Sequence, residues 1–233
     1  MQGLQDKLDQ ITSNTRKLVQ AERLALSERA TADLFATGIE DRILPVGSSA
    51  PTFSLQDAST GNMVSSSDLL ALGPLVLNFF RGRWCPYCVT ELESWRDLYP
   101  DLRRAGAVFA AVSPQNRRHN AFTAEHLIKH APQLVAFPIL SDPESAVAAQ
   151  FGIAYTIPVS ARSYYRSILV NIPFANSARD MTPRRILRGA FPCPPPSSSV
   201  KTALSASPRR TPTSVSVQNL AEPGEVMDAL LTF

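Results

Sequence analysis

Cysteine and histidine are scarce in this chain of 233 residues, with three of each, and the two signs of charge nearly cancel, 23 Lys and Arg against 20 Asp and Glu. Three cysteines are too few for the disulfide framework that staples a small secreted domain. A formal net charge of +3 falls short of the basic excess of a nucleic-acid binder, so no nucleic-acid partner is expected. No segment approaches the roughly 18 consecutive apolar residues of a membrane span. The opening Met1-Gln2-Gly3-Leu4-Gln5-Asp6-Lys7 has no apolar stretch of the kind a secretory leader needs. The expectation is a cytoplasmic protein without membrane contact. In such a reducing compartment a close cysteine pair signals redox chemistry or metal, not a staple.

What is present is enough apolar residue, 44%, to bury one substantial core. Leu4, Leu8, Ile11, Leu18 and Leu24 recur at helical spacing among charges, which predicts an N-terminal helical arm over 1–43 that packs or dimerises, so a homodimer is an expectation. Pro45, Gly47 and Pro51 break that pattern, and a redox domain is expected over 44–176. Within it a short edge strand at 52–55 precedes a Gly61-Asn62 turn, and a short helix at 66–72 leads into Pro74-Leu75-Val76-Leu77-Asn78-Phe79-Phe80. A continuous apolar run of that kind suits a strand buried on both faces. Cys85, Cys88, Leu92, Trp95, Tyr99 and Leu102 then fall on one helix face, so the cysteines open a helix directly after a strand. Strands at 107–112 and 137–140 alternate with helices at 121–130 and 145–151, and a further helix begins at Pro158. Alternation of this kind predicts an α/β sheet.

The chemistry centres on Trp84-Cys85-Pro86-Tyr87-Cys88. A cysteine attacks as thiolate, and an ordinary thiol is only a few per cent ionised at neutral pH. Cys85 at the first turn of a helix would face unpaired backbone N–H groups and the positive end of the macrodipole. Arg81 and Arg83 add fixed positive charge just before it, and Pro86 suits an early helical position that needs no N–H partner. Cys88, one turn on, is within disulfide reach and more buried, which makes Cys85 the attacker and Cys88 the resolver. Trp84 and Tyr87 can shield the sulfurs without adding charge.

Over residues 47–176 the sequence resembles the alkyl hydroperoxide reductase/thiol-specific antioxidant family, the peroxiredoxin-like branch of the thioredoxin fold. The residues that carry the resemblance are Gly47-x-x-Ala50-Pro51-x-Phe53-x-Leu55, Leu75-Val76-Leu77-Asn78-Phe79-Phe80-Arg81-Gly82-x-Trp84-Cys85-Pro86-Tyr87-Cys88-x-x-Glu91-Leu92, Val112-Ser113-Pro114, Leu140-Ser141-Asp142-Pro143 and Phe151-Gly152. It implies a thioredoxin-like three-layer sandwich, α/β in class, with a helical arm before it and an irregular tail after it. It also implies reduction of hydrogen peroxide and organic hydroperoxides at Cys85 through a sulfenic acid, capture by Cys88 as a disulfide, and regeneration by thioredoxin or a similar dithiol. No cofactor is implied. One departure stands out: peroxiredoxins typically carry Pro-x-x-x-Thr/Ser-x-x-Cys, and this chain has Asn78 and Gly82 at the matching places.

Two other functions compete. One is a thioredoxin-like disulfide reductase, or a redox scaffold without peroxidase activity, which the Gly82 departure favours. The other is a zinc-binding module that joins Cys85 and Cys88 to His126 and His130, an i,i+4 pair. Against zinc, the cysteines open a helix beneath a buried strand, and His119, His126 and His130 fit solvated helix positions. Trp95 and Tyr99 fit the core, Glu91 and Glu93 fit a helix surface, and Cys193 fits an incidental thiol.

Residues 177–220 are rich in Arg, Pro and Ser and read as irregular, and a terminal helix is expected at 221–233. Back-translating 191–207 in a shifted frame permits Val-Pro-Val-Pro-Ala-Thr-Phe-Val-Val-Gly-Gln-Asp-Gly-Ala-Val-Arg-Phe, the ending that the resemblance leads one to expect. The hypothesis is therefore that 177–220 is out of frame, in which case the sheet loses strands and the site loses a proline wall. Sequencing the transcript tests this directly: a shifted frame is expected across these codons, and an uninterrupted frame repeated in close relatives rules it out.

Overall fold

The computed structural model describes residues 3–45, 47–133 and 137–176, together with the backbone of three short strands at 189–190, 202–206 and 215–219. The elements that carry the fold are α1 (Leu4–Leu18), α2 (Ala21–Phe35), β1 (Ser54–Asp57), β2 (Met63–Ser65), α3 (Ser66–Ala71), β3 (Leu75–Phe79), α4 (Pro86–Arg104), β4 (Val108–Ser113), α5 (Arg117–His130), β5 (Ile139–Ser141), α6 (Ala146–Gln150), β6 (Ala154–Tyr155), α7 (Val159–Ser167), α8 (Ile172–Asn176), β7 (Gly189–Ala190), β8 (Thr202–Ala206) and β9 (Val215–Asn219). The main sheet runs β2-β1-β5-β4-β3-β8-β9 among the described residues. β3, β4 and β5 are parallel at its centre, with Leu75 opposite Val108 and Phe79 opposite Val112. β1 and β8 flank this core antiparallel. The result is the α/β sheet expected from the alternation, in the thioredoxin-like architecture that the resemblance implies.

Strand periodicity divides the core. Leu75, Leu77 and Phe79 of β3 and Val108, Ala110 and Val112 of β4 face one side, against Leu69 of α3 and Val147 of α6. Val76 with Phe109 and Ala111 faces the other, against Leu92, Trp95, Tyr99 and Leu102 of α4. Successive strand residues point to opposite faces, and both faces carry helices, which is why the strand reads as an unbroken apolar run. Trp95 stacks on Phe109 at 4.8 Å and Tyr99 meets Phe137 edge-on at 5.7 Å. The cysteine helix is therefore fixed by its aromatic face, and Trp95 and Tyr99 are core residues as expected.

The arm is a helix pair that packs on its own domain, α1 against α4 and α2 against α7. Leu4 and Leu8 are buried, whereas Leu18, the last residue of α1, is 84% exposed. α5 starts earlier than the apolar pattern suggests: the Asn116 side chain accepts from the His119 N–H and caps a polar first turn. Three small elements were not foreseen, β2, β6 and α8. β7, β8 and β9 fall in the stretch read as irregular, and β8 pairs with β3, so along this edge the sheet gains strands. The remainder of 177–220, Cys193 and the terminal helix expected at 221–233 lie outside the described residues. Among the described residues no helix is long and apolar enough to cross a membrane.

The arm joins the domain at a tight crossing. Gly152, at φ +74°, lies so close to the segment before β1 that an added Cβ would sit 1.7 Å from the Arg42 carbonyl oxygen. The Leu44 N–H donates to the Phe151 carbonyl beside it at 3.2 Å. Gly152→Ala is expected to combine backbone strain with this clash and cost about 1–3 kcal/mol of stability, seen as a lower urea midpoint in equilibrium unfolding.

Candidate active site

Cys85 is the N-cap of α4, and its sulfur accepts from the Cys88 N–H at 3.4 Å, the position a Ser or Asp oxygen commonly takes. Pro86 follows at the first helical position, where its missing N–H costs nothing. The Cys88 thiol donates to Cys85 Sγ at 2.9 Å, and both cysteines are reduced. Cys85 is 1% exposed and Cys88 8%, so the expectation that Cys88 is the more buried of the two is reversed: the Cys85 sulfur is covered by Arg81 and by Cys88 itself. The sequence-based pairing of the two sulfurs is thus one of direct contact.

Of the two arginines, the structure brings Arg81 to the sulfur. Its Nη2 donates to Cys85 Sγ at 2.8 Å, and its guanidinium lies over the Trp84 ring, 5.3 Å from the centroid. Arg83 is exposed and offers its backbone N–H to Gln115 Oε1 at 2.9 Å. Burial alone would raise the Cys85 thiol. The hydrogen bond from Cys88, the Arg81 charge and the further bonds from the Cys88 N–H and Arg81 outweigh it and hold the group down at about 6. Burial pushes Cys88 the other way, well above the ordinary thiol range, and the adjacent Cys85 sulfur adds to the push. One sulfur is prepared as an anion and the other as its proton-bearing donor.

Gly82 explains the departure from the Thr/Ser pattern. It sits at φ +138°, and an added Cβ would lie 2.8 Å from Gln115 Cδ and 2.9 Å from Trp84 Nε1. A β-branched residue fits neither that backbone nor that space. Gln115, from the loop after β4, takes the space: it binds the Arg83 N–H and donates through its side chain to the Ala175 carbonyl. Asn78 takes the other departing position. It is 3% exposed on the α4 side of β3, and its Nδ2 donates to Glu91 Oε1 at 2.9 Å. Glu91 is therefore tied to the sheet and is not a plain surface residue.

Trp84 and Tyr87 are held from outside the motif. Trp84 Nε1 donates to Asn176 Oδ1 at 3.3 Å, and its ring meets Tyr165 edge-on at 5.3 Å. The Tyr87 hydroxyl lies 3.2 Å from Thr12 Oγ1 of α1. Sequence reasoning missed Thr12, Gln115, Tyr165 and Asn176, since none stands in a local motif with the cysteines. His126 bonds Glu93 through Nε2 at 3.0 Å and lies beside His130. His119 is partly buried against Phe174, and that burial first, with Arg118, lowers its proton affinity. His119 and His126 are thus less solvated than expected. Among the described residues no group of three or more His, Cys, Asp or Glu side chains is arranged to hold a metal ion.

Comparison with known proteins decides the family. A family model described as the AhpC/TSA family matches residues 46–169. The chain belongs to the AhpC/TSA family. A Mycobacterium tuberculosis protein named as a peroxiredoxin is 33% identical to it over 110 residues, 47% of this chain and 67% of that one. The chloroplastic peroxiredoxin Q of Triticum aestivum is 28% identical over 134 residues, 57% of this chain and 58% of the relative. In three dimensions the chain is similar to the crystal structure of peroxidoxin BcpB from Mycobacterium tuberculosis, with a TM-score of 0.52 and 23% identity over 81% of this chain and 96% of that one. At that identity the likeness speaks to the AhpC/TSA fold alone.

The Arg81 contact predicts a titration. Alkylation at Cys85, followed by mass spectrometry against pH, is expected to rise through about 6 in the wild type. Arg81→Met removes an opposite charge in direct contact, so the midpoint should move up by about one to two units and the rate at the acid end fall by at least about tenfold.

Proposed function

We propose that the chain is a thiol peroxidase in which Cys85 is the peroxidatic cysteine and Cys88 resolves it. The observation that carries this reading is the pair of opposite shifts at two sulfurs 2.9 Å apart. Peroxide reduction needs a thiolate nucleophile and then a nearby thiol, in that order. Membership of the AhpC/TSA family and the peroxiredoxins among its relatives support it.

In the first step the Cys85 thiolate attacks the terminal oxygen of a hydroperoxide, hydrogen peroxide or an organic one. The O–O bond breaks, the leaving alkoxide or hydroxide takes a proton and departs as alcohol or water, and the sulfur becomes a sulfenic acid. Arg81, whose Nη2 donates to the sulfur, would stabilise charge on the departing oxygen. In the second step the Cys88 sulfur attacks Cys85. Its proton and the sulfenic hydroxyl leave as water, and an S–S bond forms across one helical turn. An external dithiol of the thioredoxin kind then reduces that disulfide by exchange and is itself oxidised. These steps use the sulfurs and the added reagents and call for no cofactor. A reducing compartment such as the cytoplasm would supply the dithiol.

The test is rapid-mixing peroxide reduction with thioredoxin, thioredoxin reductase and NADPH. Wild type should consume peroxide, Cys85→Ser should lose the activity by about 10³-fold or more, and Cys88→Ser should keep one fast turnover but fail to recycle through the internal disulfide. Full activity in Cys85→Ser overturns the assignment. A wild type that reduces protein disulfides but ignores peroxides makes the chain a disulfide reductase instead.

A further inference from the structure

The Arg81 guanidinium is a fork with two occupied tines. Nη2 donates to Cys85 Sγ at 2.8 Å, and Nη1 donates to the Tyr165 hydroxyl oxygen at 2.9 Å. Tyr165 lies 84 residues downstream of Arg81, on α7, and its ring also closes edge-on against Trp84, over which the same guanidinium lies. An arginine side chain is long and loses rotamer freedom when it is aimed, so a contact to sulfur at one end is firm only if the other end is held. Among the described residues, Tyr165 holds that other end from outside the loop.

α7 is itself well anchored. Ala161 packs with Ala30, Ile157 and Ile172, the Ser160 hydroxyl donates to Asp33 Oδ2 of α2 at 2.5 Å, and Arg162 Nε donates to the Ile157 carbonyl at 3.1 Å. A phenol on such a helix is a fixed acceptor, in contrast to a surface tyrosine. We propose that Tyr165 is a positioning residue for the reactive sulfur: by accepting from Arg81 it sets the guanidinium fork so that the second N–H stays on Cys85. The proposal rests on Cys85 being the reactive cysteine, and it adds to that reading a residue that no motif in the sequence marks. The ionisable groups acting on Cys85 among the described residues are Cys88 of α4 and Arg81 of the preceding loop, and Tyr165 acts through the second of these.

Tyr165→Phe tests it, because the ring and its packing on Trp84 are kept and only the acceptor is removed. Alkylation at Cys85 should slow about three- to tenfold on the acid side of its titration, with the midpoint moved up and the alkaline plateau unchanged. A residue that merely supports the fold would not move that midpoint. In an Arg81→Met background the same substitution should change the profile no further, since the link through which it acts has gone. Profiles of Tyr165→Phe and wild type that superimpose overturn the proposal, and so does an equal slowing with and without Arg81. The readout needs no peroxide: a shifted midpoint in a protein that fails to reduce peroxides supports the Tyr165 role and overturns the peroxidase reading alone.

Discussion

A sulfur anion buried at the end of a helix is the constraint around which this molecule is arranged. Burial by itself works against charge at Cys85, and a group taken from water without compensation would stay neutral. Compensation comes from three directions at once: the Arg81 guanidinium, the Cys88 thiol and the backbone N–H at the start of α4. Each donates to the same sulfur. The Cys88 proton has a second consequence, since the group that stabilises the anion is also the thiol that would attack it once oxidised.

Holding those donors requires more of the chain than the five-residue motif. β3 carries the loop to the site, and α4 is seated on β4 through Trp95 and Phe109. Gln115 reaches from the next strand-to-helix loop and grips the Arg83 N–H in the space left by Gly82. α7 and α8 close the side with Tyr165 and Asn176, and α1 touches Tyr87 through Thr12. The glycine at 82 is thus the complement of Gln115. A side chain there would displace the residue that fixes the loop.

Local chemistry made much of this legible in advance. The apolar run before the motif, the helical spacing of Leu92, Trp95, Tyr99 and Leu102, and the N-terminal placement of Cys85 all follow from periodicities of two and 3.6 residues acting on neighbouring side chains. The start of α5 was misplaced because Asn116 caps a turn of polar residues, where periodicity carries no signal. Arg81 and Arg83 look alike in the sequence, two residues apart, and only the turn imposed by Gly82 sends one to the sulfur and the other to solvent.

The amino-acid sequence by itself determined the order of strands and helices from α3 to α6, the cysteine pair at the mouth of α4 and the family to which the chain belongs, because these depend on residues that are neighbours along the chain. Tertiary structure alone decided which charge meets Cys85, what occupies the space beside Gly82, and that Tyr165 and Asn176 complete the wall. Those contacts join residues dozens of positions apart, and a hydrogen bond of 2.9 Å between Arg81 and Tyr165 exists only after the sheet and both helices have been placed.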